Sequence, residues 1–160
     1  MNKHTQLISD FYTAFQRRDH QAMAACYHPE ARFCDPVFEL QGQEIAAMWQ
    51  MLCERAQDFS LTFSVDDSNG KIVARWQAKY LFSQTGRAVV NNVTGNFTFK
   101  DGLIYTHDDD FSFWRWSAQA LGAPGLLLGW TPLLRNKVRQ QAGKGLQAFI
   151  KQSFTGQTAA

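Results

Sequence analysis

Apolar residues near the start of the chain recur every three or four positions, which is the spacing of one helix face. They predict an amphipathic helix from about residue 4 to residue 17. Asp19 can cap a second, short helix, which we expect to end at about Tyr27 because His28 and a proline follow. A third helix is predicted to end at about Arg55. The apolar positions behind these predictions are Leu7, Ile8, Phe11, Tyr12, Phe15, Ile45, Met48, Trp49 and Leu52.

The middle of the chain alternates between apolar and polar residues, as half-buried β-strands do. One strand covers about residues 59–66, and a turn at 67–70 leads into a second strand that ends near Phe82. A third strand runs through residues 89–99, and a turn at 100–102 leads into a fourth that ends near Phe111. Helices followed by four or more antiparallel strands predict an α+β fold in which helices cover one face of the sheet.

The rest of the chain has a different pattern. It predicts a short helix that ends near Leu121, an apolar loop with glycines and prolines over residues 123–132, and a last helix from about 133 to 154. Gly143 and Gly145 weaken the middle of that helix. No internal repeat or linker divides the chain, so we treat residues 1–160 as one domain.

Composition supports a globular protein, since 45% of the 160 residues are hydrophobic and 19% are charged. The 13 Phe, five Trp and four Tyr residues suggest an apolar cavity or a large interface. The net charge is +2, and no acidic residue follows Asp110. A basic tail can meet nucleic acid or an anionic membrane, but it is more often the solvated face of a helix. We therefore expect neither a nucleic-acid partner nor membrane contact by the tail.

Several classes of site have no support in the sequence. The chain has three cysteines, Cys26, Cys34 and Cys53, which are odd in number and show no CxxC spacing. This pattern is typical of buried thiols in a reducing compartment. No apolar leader or apolar run of about 18 residues is present, and we predict a cytoplasmic protein. Phosphate-binding and dinucleotide-binding motifs are absent, so we expect no cofactor. The three aspartates at 108–110 are adjacent in a predicted strand, so their side chains alternate between the two faces of the sheet. Because they cannot easily bind one ion together, we expect no metal site.

The segment at 28–38 contains the first candidate for chemistry. Asp35 stands between apolar neighbours, directly before Pro36, which restricts it to extended geometry. A carboxylate in apolar surroundings tends to have a raised pKa, as a general acid or base near neutral pH requires. The alternative is that Asp35 only accepts hydrogen bonds from backbone amides in a turn.

Other polar residues occupy positions that should face the helix-covered side of the sheet. Asn91 shares the parity of Val89, and His107 and Asp109 share the parity of Tyr105, unless a bulge inverts it. A buried polar group without a partner costs free energy, so these side chains should satisfy one another around a cavity. Each could also be purely structural. The catalytic candidates are Tyr12, Asp35, His107 and Asp109, and the substrate-binding candidates are Trp49, Trp76, Asn91, Phe97 and Trp114.

Four segments of the chain together resemble the nuclear transport factor 2-like superfamily, which includes ketosteroid isomerase and the SnoaL-like polyketide cyclases. These segments are residues 12–15, 18–19, 28–37 and 95–104. The resemblance covers about residues 5–112. It implies a cone-shaped α+β barrel, with a curved antiparallel sheet packed on N-terminal helices around a pocket for a small apolar ligand, and a homodimer. The C-terminal helical extension, about 113–155, has no counterpart in the compact isomerase.

The resemblance also implies roles for individual residues. Asp35 falls where ketosteroid isomerase has its general base, and Tyr12 where it has its oxyanion-hole tyrosine. Gly95 falls where the isomerase has a second, protonated acid. The cyclases use an aspartate and a histidine, which Asp109 and His107 could supply. Two functions stay open: a cofactor-independent enzyme of isomerase, cyclase or lyase type, and a non-catalytic module for ligand binding or dimerisation. A third hypothesis, which we rank below these two, is that the basic, apolar tail helix docks on a membrane surface.

Overall fold

A computed structural model describes residues 2–158, with side chains described up to residue 153. In this part of the chain, six strands form one curved, unclosed sheet with the order β2-β1-β6-β5-β4-β3. Strand β1 is parallel to β6, and the other neighbouring strands are antiparallel. The strands are β1 (Tyr27–Cys34), β2 (Glu39–Gln41), β3 (Gln57–Ser68), β4 (Lys71–Leu81), β5 (Ala88–Lys100) and β6 (Leu103–Asp110).

Helices cover the inner face of this sheet. The first two, α1 (Lys3–Gln16) and α2 (His20–Ala24), and α3 (Gln43–Arg55) bury their apolar faces in the main core. As predicted, Asp19 caps α2 by accepting a hydrogen bond from the amide of Ala22 at 3.1 Å. The α+β fold predicted from the alternation is therefore confirmed.

The region before α3 differs from the prediction. The second helix ends at Ala24, and Tyr27 begins β1 instead of ending a helix. The sheet is mixed and not purely antiparallel, since β1 pairs with the distant strand β6. Pro29 lies where the β1–β6 register shifts, between Tyr27 and Arg32. A proline is compatible with a strand at such an irregular position because no ladder hydrogen bond needs its missing N–H.

The β5–β6 hairpin contains the bulge that sequence parity could not locate. Thr98 pairs with Thr106, whereas Phe99 pairs with Ile104, so Tyr105 is the extra residue. Ile104 is fully buried, and the Tyr105 ring packs against Lys100 outside the main core. The expectation that Tyr105 shares the inner face with His107 and Asp109 was therefore wrong, although the latter two are buried.

Three helices follow the sheet: α4 (Phe113–Leu121), α5 (Ala123–Leu128) and α6 (Pro132–Thr158). Helix α5 occupies part of the segment that we predicted to be a loop. It packs closely on α4, because a Cβ atom on Gly125 would lie 1.9 Å from the carbonyl oxygen of Ser117. Helix α6 packs on α3 and buries Leu146 completely. None of the helices in the described residues is long and apolar enough to span a bilayer.

Candidate active site

A cavity of about 490 Å³ lies between the inner face of the sheet, α3 and the C-terminal helices. Most of its walls are apolar, and two carboxylates, Asp35 and Asp109, lie among them. The C-terminal helices contribute side chains to the wall, so the cavity is completed by a part of the chain that follows the sheet. The apolar lining includes Phe33, Met48, Trp49, Trp76, Ala78, Phe111, Trp116, Leu134 and Val138.

Asp35 follows the last residue of β1 and forms a tight turn. Its Oδ1 accepts hydrogen bonds from the amides of Val37 at 2.7 Å and Phe38 at 2.6 Å. Burial raises the pKa of Asp35 from 3.8 to about 6; the two amide hydrogen bonds oppose this rise, and the negative charge of Asp109 adds to it. Asp35 therefore forms the turn hydrogen bonds and also presents a carboxylate of raised pKa to the cavity.

Asp109 is held by a chain of buried hydrogen bonds. Trp49 Nε1 donates to Tyr27 Oη at 3.0 Å, and Tyr27 Oη lies 2.7 Å from Nδ1 of His107. His107 Nε2 in turn lies 2.7 Å from Oδ1 of Asp109. An indole N–H can only donate, so the Tyr27 hydroxyl has its own proton available for Nδ1. A neutral His107 then has its proton on Nε2 and donates it to Asp109.

Gly95 provides the space for this carboxylate. It pairs with Asp109 across the β5–β6 ladder, and a Cβ atom at Gly95 would lie 2.9 Å from Asp109 Oδ1. The same Cβ would lie 3.2 Å from the ring of Phe97. The position that lacks the acid expected of a ketosteroid isomerase therefore leaves room for a carboxylate from the neighbouring strand.

Two buried polar groups near the site, the Tyr12 hydroxyl and the Trp76 indole N–H, have no hydrogen-bond partner among the described residues. The side-chain amide of Asn91 forms no hydrogen bond within the described residues either. Trp76 and Asn91 line the cavity, whereas Tyr12 does not. Burial and the charge of Asp109 raise the pKa of Tyr12 well above its usual value, so its hydroxyl stays protonated. The cavity thus has donors available for a ligand oxygen.

The structure brings five of the predicted site residues to the cavity wall: Asp35, Asp109, Asn91, Trp49 and Trp76. Tyr12, His107 and Phe97 lie behind the wall, with the His107 and Phe97 rings 4.3 Å apart. Trp114, which we expected to contact substrate, lies outside the cavity. Its side chain is exposed on α4, and its Nε1 donates to the carbonyl of Leu126 at 2.9 Å.

The side-chain hydrogen bonds at the site also involve residues that were not among our candidates, namely Tyr27, Tyr80 and Trp116. Tyr27 was assigned to a helix end, and nothing local in the sequence pairs it with His107. Tyr80 shares the inward parity of Trp76, so the alternation could have revealed it. Trp116 follows Phe113 by three positions, so the two residues lie on the same face of the predicted helix. This spacing could also have revealed Trp116. Trp116 Nε1 donates to Tyr80 Oη at 2.9 Å, and both residues line the cavity.

Several solved structures share the fold of this protein. A protein of ketosteroid isomerase-like fold from Catenulispora acidiphila, bound to trimethylamine, is 13% identical, with a TM-score of 0.64 over 79% of this chain and 97% of that one. A candidate polyketide cyclase from Silicibacter sp. TM1040 is 16% identical, with a TM-score of 0.66 over 73% and 94%. An LEH-like epoxide hydrolase from M. tuberculosis is 17% identical, with a TM-score of 0.62 over 78% and 92%.

The sequence itself gives the family assignment. No protein of curated function matches the chain. The family model of the SnoaL-like domain matches residues 8–107, which cover the N-terminal helices and the sheet up to His107 and exclude α4, α5 and α6. The protein belongs to the SnoaL-like domain family and has the NTF2-like, ketosteroid isomerase-like fold.

Proposed function

We propose that this protein is a cofactor-independent enzyme of isomerase or cyclase type, which transfers protons on an apolar carbonyl compound. The observation that carries the proposal is the pair of carboxylates in one largely apolar cavity, Asp35 with a pKa of about 6 and Asp109 bonded to His107. A carboxylate with a raised pKa in a cleft, such as Asp35, is a candidate for acid–base catalysis.

Asp35 is the proposed general base. Its Oδ1 is held by two backbone amides, so Oδ2 is the oxygen that can take a proton from the carbon next to the carbonyl. A base with a pKa of about 6 is ionised at neutral pH and is still basic enough to accept a proton.

The negative charge that develops on the substrate oxygen needs hydrogen-bond donors. We assign this role to Asn91 and Trp76, since both line the cavity and neither has a partner among the described residues. Tyr12 was the sequence candidate for this role, but it lies behind the wall. Asp109, oriented by His107, is the proposed second group that handles a proton during the return step.

The alternative function is a non-catalytic ligand-binding module. The two amide bonds to Asp35 favour it, because they give this carboxylate a structural role in the turn without any chemistry. The two functions differ in one measurable property: only the enzyme exchanges the protons of a bound ketone with solvent.

Proton exchange can be measured without knowing the natural substrate. A panel of apolar ketones is incubated in D₂O, and deuterium at the carbons next to the carbonyl is followed by NMR. We expect Asp35→Asn to slow exchange by about 10²–10⁴-fold, while quenching of tryptophan fluorescence still reports ligand binding. Asp110→Asn, which removes an exposed carboxylate at the end of β6, is the matched control and should exchange at the normal rate.

The results separate the two functions. Exchange that persists in Asp35→Asn would remove Asp35 from the mechanism. Binding without exchange in the unmodified protein would favour the binding module. For the enzyme, the exchange rate should rise as the pH increases through about 6, because the base acts only when it is ionised.

A further inference from the structure

An apolar patch lies on the surface of the C-terminal extension, and none of its residues lines the cavity. Its five large side chains belong to α5, to the turn after it and to the first turn of α6, and each of them is between 47% and 77% exposed. Scattered apolar residues on a surface are ordinary, but five within eight positions form a concentrated patch. We call it the 126–133 patch; it consists of Leu126, Leu127, Leu128, Trp130 and Leu133.

Close packing underneath holds this patch in place. Cβ atoms at Gly125 and Gly129 would lie 1.9 Å from the Ser117 carbonyl oxygen and 2.2 Å from the Ser117 hydroxyl. The two glycines therefore form the buried side of the turn, and the leucines beside them are exposed. Trp130 Nε1 also donates to the Leu127 carbonyl at 3.0 Å, which ties the end of the patch to its middle.

The charged residues of the C-terminal extension itself are all basic. After Asp110 the chain has no acidic residue, and its basic residues are Arg115, Arg135, Lys137, Arg139, Lys144 and Lys151. Arg115 follows Trp114, whose indole is bonded to Leu126. Lys137 lies one helical turn after Leu133, and it is exposed while also lining the cavity. Within the described residues, Arg115, Arg135 and Lys137 form no ion pair. These cations are available to an external anion.

We propose that the 126–133 patch docks on an anionic membrane surface, with its leucines and Trp130 in the headgroup boundary and the nearby cations on lipid phosphates. Exposed leucine and tryptophan next to Lys and Arg is the combination that interfacial membrane binding uses. A second copy of this chain fits less well, because it would bring two segments with the same positive charge together. Leu134 and Val138, on the same helix, line the cavity, so a docked protein would have its apolar cavity close to the bilayer.

The test uses sedimentation of the full chain with vesicles. We expect binding to vesicles of equal parts phosphatidylglycerol and phosphatidylcholine, and much weaker binding to pure phosphatidylcholine. The double variant Leu127→Gln/Leu133→Gln should lower the partition coefficient about tenfold or more, since apolar side chains lose their burial. The matched control is Leu127→Met/Leu133→Met, which keeps the apolar character and should bind normally.

A second arm tests the charge contribution. Arg135→Gln/Lys137→Gln should reduce the preference for phosphatidylglycerol, and so should about 1 M salt, where the Debye length falls to about 3 Å. All substituted side chains are exposed, and unchanged thermal unfolding would establish that the variants fold.

Several outcomes would overturn the proposal. One is the absence of sedimentation with the anionic vesicles, and another is full binding by the Leu→Gln double variant. A third is a fall in molecular mass, measured by sedimentation velocity without lipid, in the Leu→Gln double variant alone, since that result would mean that a second copy covers the patch.

Discussion

At the scale of the residue, two features of the Asp35 environment have opposite effects on the ionisation of its carboxyl group. Backbone amides favour an ionised carboxylate, whereas burial disfavours it, and burial prevails here because the pKa rises to about 6. The turn around Pro36 thus keeps a carboxylate at a cost in stability. Natural proteins often accept such a cost at functional sites.

This cost predicts a pH dependence of stability. In the unfolded chain Asp35 ionises near its ordinary pKa of 3.8, and in the folded protein near 6. Between these values the folded state binds more protons, so the contribution of Asp35 to the free energy of unfolding falls as the pH rises from about 4 to about 6 and then stays low. At neutral pH, Asp35→Asn should therefore stabilise the protein, by up to about 3 kcal/mol.

Urea unfolding at several pH values measures this effect. The asparagine oxygen can still accept the amide hydrogen bonds of Val37 and Phe38, so the turn is preserved. The stabilisation should shrink as the pH falls through about 4 and approach zero below about pH 3, where the aspartate is neutral in both states. A variant that is less stable than the natural protein at neutral pH would contradict the raised pKa. Asp110→Asn again provides the matched control.

The alternation of apolar and polar residues correctly predicted that most of the inner polar residues face the cavity side of the sheet. It failed at a bulge, and it could not reveal a contact between residues far apart in the sequence. Asn91 and Asp109 line the cavity because alternation holds along β5 and after the bulge in β6. Tyr105 was misplaced because a bulge leaves no mark in the pattern of apolar residues. The partnership of Tyr27 with His107 spans 80 positions, and local periodicity carries no information about such a contact.

At the scale of the element, the N-terminal helices and the long antiparallel strands were predictable because each carries its own period. Strand β1 was missed for the opposite reason. Its pairing with β6 is parallel and non-local, and Pro29 within it reads as a terminator of structure. Helix α5 was missed because its sequence, rich in glycine and proline, has a low intrinsic helix propensity. It is helical owing to its packing on α4.

That packing predicts the effect of Gly125→Ala. In an isolated helix alanine is favoured over glycine by about 1 kcal/mol, but here the new Cβ would meet the Ser117 carbonyl oxygen at 1.9 Å. We expect a net loss of about 1–3 kcal/mol as α5 shifts away from α4. Gly143→Ala is the matched control, since a Cβ at that position in α6 meets nothing within 4 Å and should stabilise the protein slightly. Chemical denaturation of both variants would measure the difference, and equal effects would contradict this account of α5.

At the scale of the whole molecule, the cavity depends on two parts of the chain with different sequence signals. Residues 8–107 match the SnoaL-like domain and supply both the sheet and His107, whereas the C-terminal helices, outside that match, complete the cavity wall. The family resemblance could therefore predict the pocket and its first carboxylate. It could not predict the role of Trp116 or Leu134, because both lie beyond residue 107, where the match to the SnoaL-like domain ends.

The outer face of the sheet is open in the described chain, and its central side chains are ordered by mutual hydrogen bonds. Gln77 Nε2 donates to Asn92 Oδ1 at 2.9 Å, and the hydroxyls of Thr98 and Thr106 lie 2.6 Å apart. A surface of ordered polar side chains suits the polar interfaces that many protein pairs form. We expect a homodimer through this face, in keeping with the family resemblance.

Sedimentation velocity would test this dimer, with an expected mass of twice that of one chain. Asn92→Arg should shift the protein towards the monomer, because the new charge would lie on the face that holds Arg75 and Lys79 and would face its own copy across a two-fold axis. Gln21→Arg adds the same charge on the exposed side of α2 and should leave the mass unchanged. If Asn92→Arg also kept the dimer mass, the subunits would have to meet elsewhere. The 126–133 patch would then be the next surface to test, and Leu127→Gln/Leu133→Gln would separate the two cases because it alters no residue of the sheet.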